Sequence, residues 1–479
     1  MSESETTIVE PTPDGYLAKV GDKAEPIFRT QNILQEALRI APSLGVEPKE
    51  IVAAVAKCVD DEVEAILNDP QPLERLKPYL DELIAGEDAN KLLVFVLLLS
   101  GKLPDPRKKE MILFKSESGA GKSTLANALT SAFKTKKVGR FSEHALDYTD
   151  LTGYQVLYIQ EIGHMDEEKQ GLSTIKFLSA DDQGYVVEVV VGNPQDGFKN
   201  IQKRIPPMTV VSSTTRVRLD PQYERRNWVV GLDETPEQTR RIMKLKVKRR
   251  LEENEINLGL RDELSCDRAK RLLKRLVEKI EPCRVVILFP ESILEVLEHE
   301  KIRVRGDYSK LMRLIEYYSI LRQRTLPRLM VNGTPTVFAT PEAALEILQV
   351  ATEPLTLMTM EMDKRTRKLL EGFREMGLTS AGMVITPELR EEMATRLGYS
   401  SHTLRVYLNE LVRKGYLTDD SRKPKIYKLP LSLKAIERKV SAISAKLENE
   451  EALILQICEE AQKTLKKLSS KMGEGEIQE

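Results

Sequence analysis

The sequence predicts an α/β fold, a parallel sheet with flanking helices, built around a phosphate-binding loop and extended by helical regions on either side. Three observations carry this. The apolar run 111–114 passes through a glycine-containing loop into an apolar-periodic helix opened by Gly121-Lys122-Ser123-Thr124. Two further short apolar runs, 156–159 and 208–211, have the length and texture of buried strands. The stretches between these runs are long enough for the crossover helices that parallel strands need.

The elements follow in chain order. A length of 479 residues exceeds one hydrophobic core and suggests about three domains. Residues 1–28 are rich in Asp, Glu, Pro and Gly with little apolar periodicity, which predicts a disordered arm. Across 29–84 apolar residues recur at helical spacing (Ile33, Leu34, Ala37, Leu38; Ile51, Val52, Val55; Val63, Ile66, Leu67), a small helical layer. Residues 85–235 hold the strands of the α/β core, with β-branched residues at 184–191 suggesting a hairpin strand. Residues 236–375 read as a helical lid or linker with a basic stretch at 240–250. Residues 376–430 have a different texture, treated below. In 431–470 the apolar residues Ile436, Val440, Ile443 and Leu447 step 4-3-4, and the seam resumes at Ile454, Ile457 and Ala461 after Glu450. That segment is either a coiled coil or a long helix packed on the protein. A short tail, 471–479, closes the chain.

Composition excludes several classes. The four cysteines, Cys58, Cys266, Cys283 and Cys458, show no C-x-x-C spacing, which argues against a zinc site and a disulfide framework and fits a reducing compartment. The acidic start lacks an apolar core, and the longest apolar run, 92–99, falls short of the roughly 20 residues that span a bilayer. A cytoplasmic protein outside the membrane is expected. The net charge of −1 means that any basic surface is local.

The loop Ser116-Glu117-Ser118-Gly119-Ala120-Gly121-Lys122-Ser123-Thr124 carries the chemistry. In a strand–loop–helix context, backbone N–H groups converge on nucleotide phosphates at the helix N-terminus. Lys122 is placed to reach the β- and γ-oxygens, and the Ser123 hydroxyl to hold Mg²⁺. Ser116 stands where the usual pattern has glycine. A partner strand should bring an acid to the γ-phosphate, and 156–159 ends in Gln160-Glu161. Glu161 is the candidate for orienting the attacking water, with a surface carboxylate as the alternative. The third run ends in Ser212-Ser213-Thr214-Thr215, hydroxyls able to bond a γ-phosphate or to form a simple turn cluster. Arg225 and Arg226, and then Arg240 and Arg241 after Asp233-Glu234-Thr235-Pro236-Glu237-Gln238-Thr239, are candidate charge-neutralising arginines or solvated pairs.

This order of motifs resembles the helicase-type ATPase module of mobile-element and phage-like DNA primases, related to minichromosome maintenance and superfamily 3 helicases. The likeness covers about residues 85–430 and includes the helical stretch 308–324. It implies an AAA+-like fold, ATP and Mg²⁺ as cofactors, and a homo-oligomeric ring, usually a hexamer, acting on DNA. It further implies a sensor role for Thr214 and Thr215, a finger reaching a neighbour's site for Arg225 or Arg226, and a lid role for Arg240 or Arg241. The family usually has Asp where this chain has Gln160, on the metal side.

Two segments are candidates for DNA contact. Thr386-Pro387 opens a helix, Gly398 turns it, and Ser400 starts a second helix that ends near Gly415. Two short strands flanking 421–424 complete a layout resembling a winged helix. Residues 386–428 carry nine Lys and Arg against six Asp and Glu. Ser401, His402, Thr403 and Arg405 stand where such a helix enters the major groove, and Arg422, Lys423 and Lys425 where a wing meets phosphates. A protein-binding winged helix is the alternative. Lys199, Lys203 and Arg204 lie before the third run, where related ring helicases place a basic pore hairpin. The expected function is therefore an ATP-dependent DNA motor. The alternative is an ATP-switched DNA-binding regulator or loader with little hydrolysis.

Overall fold

The computed structural model describes residues 7–12, 15–27, 33–116, 119–139, 149–162, 185–193, 197–215, 221–258, 264–290, 304–331, 333–359, 384–413, 417–419 and 427–428, with isolated positions between and beyond them. The segment 431–470, apart from Lys463, lies outside them, as do Glu117, Ser118, Arg422, Lys423 and Lys425.

The chain begins with a correction. Within the expected disordered arm, β1 (Ile8–Thr12), β2 (Gly15–Val20) and β3 (Lys23–Ile27) form an antiparallel meander. The signal was a period of two: Tyr16, Ala18 and Val20 are buried, while Leu17 and Lys19 between them are not. Gly21-Asp22 makes the two-residue turn between paired Val20 and Lys23, with Gly21 at φ +55°. The meander shares its core with α1 (Ile33–Leu44) and α2 (Pro48–Leu67). Helix α3 (Pro72–Leu83) follows, and then α4 (Asp88–Leu98), nearly all of whose residues are buried.

The central sheet has five parallel strands in the order β10–β4–β9–β6–β5: β4 (Met111–Lys115), β5 (Thr135–Val138), β6 (Val156–Ile159), β9 (Thr209–Thr214) and β10 (Asn227–Val230). Helices flank it, so the architecture is the expected α/β P-loop fold. Ile112, Phe114, Val156, Tyr158, Val211, Trp228 and Val230 face α4 and α5 (Lys122–Thr130). Met111, Leu113, Leu157, Ile159 and Val210 face the opposite layer. Burial on both faces is why these strands read as unbroken apolar runs. Between β6 and β9, β7 (Tyr185–Asn193) and β8 (Gly197–Ile205) pair as a separate antiparallel hairpin.

After β9 come α6 (Pro221–Arg226), α7 (Pro236–Asn257), α8 (Ser265–Lys279), α9 (Val304–Leu321) and α10 (Pro341–Thr359). The lid region is more than helical. It contains a three-stranded sheet of β11 (Arg284–Val286), β13 (Thr334–Phe338) and β12 (Arg328–Val331). Asn332-Gly333 between paired Val331 and Thr334 is a strong hairpin signal, and Gly333 takes φ +71° as that turn requires. The lid is bolted to the core through Glu110. This carboxylate, 1% exposed, accepts from Arg313 Nε at 2.5 Å, Tyr317 Oη at 3.0 Å and Trp228 Nε1 at 3.2 Å.

The last described unit is β14 (Val384–Ile385), α11 (Pro387–Leu397), α12 (Ser401–Arg413), β15 (Thr418–Asp419) and β16 (Tyr427–Lys428), with sheet order β14–β16–β15. Thr386 caps α11 by accepting from Leu389 N at 3.3 Å, and Gly398 ends it at φ +72°. The unit has its own core of Leu404, Leu408, Leu411, Ile385 and Tyr427.

Candidate functional site

Parallel pairing puts the carboxyl ends of β4, β9 and β6 on one edge: Lys115 pairs with Thr214 and Ile159 with Ser212. Ligands of open α/β sheets bind outside that edge. At the end of β4 the chain turns through Gly119 (φ +85°) and Gly121 (φ +94°) into α5, and Gly121 is the N-cap. A Cβ at either glycine would meet nothing within 4 Å, so it is the positive φ and not crowding that calls for glycine there. Lys122, 7% exposed, folds back and donates to the Ser116 carbonyl at 2.8 Å. Ser116 Oγ is buried without a hydrogen-bond partner. A buried ammonium resting on a carbonyl, an orphaned hydroxyl and a positive helix end fit a bound phosphate chain. Ser123 and Thr124 are exposed at the start of α5, so the Ser123 hydroxyl is available to a metal ion accompanying those phosphates.

Gln160 and Glu161 leave the tip of β6. Gln160 N donates to Val138 O at 2.9 Å, Ile162 N donates to Ser213 O at 3.0 Å, and Ser213 Oγ donates to Gln160 O. This backbone clamp between β5 and β9 fixes where Glu161 stands. Burial raises the pKa of the Tyr158 hydroxyl; the nearby Ser123 and Ser213 hydroxyls oppose it without reaching hydrogen-bond geometry. Thr214 is buried at the end of β9, and Thr215 beyond it is exposed. Ser212 Oγ meets Tyr223 Oη at 2.9 Å, which ties β9 to α6.

Arg225 and Arg226 are exposed at the end of α6. Their helix is held from below: Lys310 Nζ, on α9, donates to the Arg225 and Asn227 carbonyls at 2.8 Å each. Arg240 and Arg241 are exposed on α7, and Arg240 pairs with Glu237 at 3.0 Å. The segment before them acts locally as a docking element. Thr235 caps α7 by accepting from Gln238 N at 3.2 Å, and buried Gln238 donates to Ala85 O at 2.7 Å.

The DNA candidates separate. In the hairpin register, Lys199 and Lys203 sit across from Val191 and Val187 on one face, and Arg204, across from Val186, is on the other. On α12, His402 and Arg405 are exposed. Ser401 and Thr403 are engaged: Ser401 Oγ donates to Glu391, and Thr403 N donates to the Ser400 hydroxyl at 3.0 Å.

Sequence reasoning missed Lys115 and Glu224. Lys115 Nζ lies 2.5 Å from Glu224 Oε1, and its side chain is 5% exposed. A lysine closing an otherwise apolar central strand was the available signal.

No protein-family model matches the chain, and no curated protein matches it. Among solved structures, a candidate ATPase from Cytophaga hutchinsonii matches over 61% of this chain and 88% of its own, at 12% identity and a TM-score of 0.35. A full-length MCM homologue from Methanopyrus kandleri matches over 62% of this chain and 61% of its own, at 12% identity and a TM-score of 0.36. This chain thus spans under two thirds of the Methanopyrus protein. Likeness at this level specifies no activity.

Proposed function

We propose that the chain is an ATP-dependent DNA motor that hydrolyses ATP at subunit interfaces of a homo-oligomeric ring, a hexamer by the resemblance of its motifs. The observation that carries the reading is the gathering of Lys122, Glu161 and Thr214 at one edge of β4, β6 and β9. In this reading ATP supplies the transferable phosphoryl group and Mg²⁺ neutralises its charge. The loop N–H groups and Lys122 hold the phosphates, with Ser123 on the metal. Glu161 takes the proton of the attacking water. Thr214 and Thr215 orient that water and the γ-phosphate. Arg225 or Arg226 on exposed α6 enters the neighbour's site, where charge develops. Arg240 and Arg241 are lid candidates of the same kind.

DNA contact is assigned to the β7–β8 hairpin, through Lys199 and Lys203 on one face and Arg204 on the other, and to the unit 384–428 read as a winged helix. His402 and Arg405 are its exposed base or phosphate contacts, with Arg422, Lys423 and Lys425 on the wing. Ser401 and Thr403 serve α12 itself.

A second reading has its own observation. By the resemblance, Gln160 stands where the family has a metal-side carboxylate, and its uncharged amide favours an ATP-switched regulator or loader that binds nucleotide and hydrolyses little. Phosphate release with and without DNA, together with strand displacement on forked DNA, separates the two. The motor gives DNA-stimulated release and unwinding, both lost in Lys122→Ala and Glu161→Gln. Release that stays at background with every DNA tested selects the switch.

A further inference from the structure

Helix α7 buries one side against the end of α3, where Arg249 donates to the Glu82 and Leu83 carbonyls at 2.9 and 2.8 Å. Its opposite side carries Met243, Val247 and Leu251, with Leu258 just past its end, each more than half exposed. Their 4-4-7 spacing is a single stripe on an α-helix. The stripe runs through the most basic stretch of the chain: residues 240–250 hold seven Lys and Arg and no Asp or Glu. As far as Leu251 the aligned apolar side chains are framed by positive charge, and beyond it by Glu253 and Glu255; an exposed apolar stripe of this kind marks a surface that is covered in the working molecule.

We propose that the cover is this chain's own C-terminal segment, residues 447–461. Its sequence complements the basic part of the stripe. Leu447, Ile454, Cys458 and Ala461 recur at helical spacing, and 447–460 holds five Glu and no Lys or Arg. Between residues 243 and 258 an α-helix rises about 22 Å, and between 447 and 461 about 21 Å, so the stripes match in length. Docked antiparallel, with Cys458 beside Val247, the segment brings Glu459 and Glu460 to the end of the stripe that carries Arg240, Arg241 and Lys244. DNA would satisfy the lysines and arginines but leave the methionine, valine and leucines wet. The eighteen residues between Lys428 and Leu447 reach about 60 Å when extended. Tethering of this kind gives an effective concentration near the millimolar range, well above that of a second copy.

Cys458 lies on the proposed contact stripe and provides the test. In the full-length chain, Val247→Cys is treated with a short bismaleimide, beside an off-stripe control, Lys246→Cys, and a Val247→Cys/Cys458→Ser control. The docked segment crosslinks Val247→Cys to Cys458 within one chain, at monomer mass. Lys246→Cys reacts poorly, and the product is lost when Leu251→Asp or Ile454→Asp is added. Leu251 is more than half exposed, so its change leaves the folded core intact. Equal yields at positions 246 and 247 would mean a wandering tail and overturn the proposal. So would products found only at dimer mass, which assign the face to a second copy. Absence of the crosslink with Lys244 and Lys246 instead shielded from acylation by DNA would assign it to nucleic acid.

Discussion

Lys115, buried, and Glu224, about a fifth exposed, form an ion pair, 2.5 Å from Nζ to Oε1, that joins the last residue of β4 to the helix bearing Arg225 and Arg226. Lys115 precedes Ser116, whose carbonyl receives Lys122. One short run of backbone therefore touches both the phosphate cradle and the support of the candidate finger.

Removing Glu224 strands a buried ammonium. Glu224→Ala should lower stability by up to about 3–5 kcal/mol, less to the extent that Glu224 reaches water. Lys115→Met with Glu224→Leu should recover most of that loss, because a packed apolar pair replaces the ion pair. Thermal denaturation of the three variants checks this, and phosphate release should stay low in the double variant if the pair positions α6.

A finger that acts on a neighbour can be tested by mixing. Arg226→Ala and Lys122→Ala chains, each inactive alone, should regain part of the hydrolysis when combined, since some junctions then hold one intact half from each. A mixture as inactive as its components removes Arg226 from the shared site. The same experiment with Arg225→Ala decides between the two arginines.

Gly86 has φ +61°, and a Cβ there would stand 2.1 Å from Gln238 Oε1. Gly86→Ala should therefore both strain the backbone and displace the Gln238–Ala85 hydrogen bond, at a cost of about 1–3 kcal/mol. Gln238→Ala should lose only the hydrogen-bond share. Chemical denaturation of the two variants separates the contributions.

Tyr223 is fully buried, and burial pushes its hydroxyl up to about 12, against the opposing hydrogen bond of Ser212 and the nearby Asn227 amide. The folded state keeps this proton after the unfolded chain has released it, so the group's contribution to stability is complete below pH 10. It is lost as pH climbs from 10 towards 12, a decline of about 2–3 kcal/mol. Tyr223→Phe should flatten that part of the curve measured by denaturant titration at successive pH values.

The sheet and its turn into α5 were readable because their local demands are strict. The turn from β4 into α5 needs Gly119 and Gly121 at positive φ, and the strands buried on both faces must be apolar throughout. Elements under weaker local rules were missed. Strand β5, Thr-Lys-Lys-Val, lies at the sheet edge and can be polar, while β10 is only four residues long. The meander of 8–27 alternates correctly, but its Asp, Glu, Pro and Gly content read as disorder. The Glu110–Arg313 and Lys115–Glu224 contacts join residues 203 and 109 positions apart, and no spacing rule reaches that far.

Calorimetric titration of the purified chain with ATP in magnesium buffer tests the central claim most directly. Saturable binding at one site per chain is expected, with Lys122→Ala removing at least about 1.4 kcal/mol of affinity, a factor of ten. Absence of binding by the wild-type chain, or binding untouched by Lys122→Ala, would contradict the assignment of the 116–124 loop as a triphosphate site.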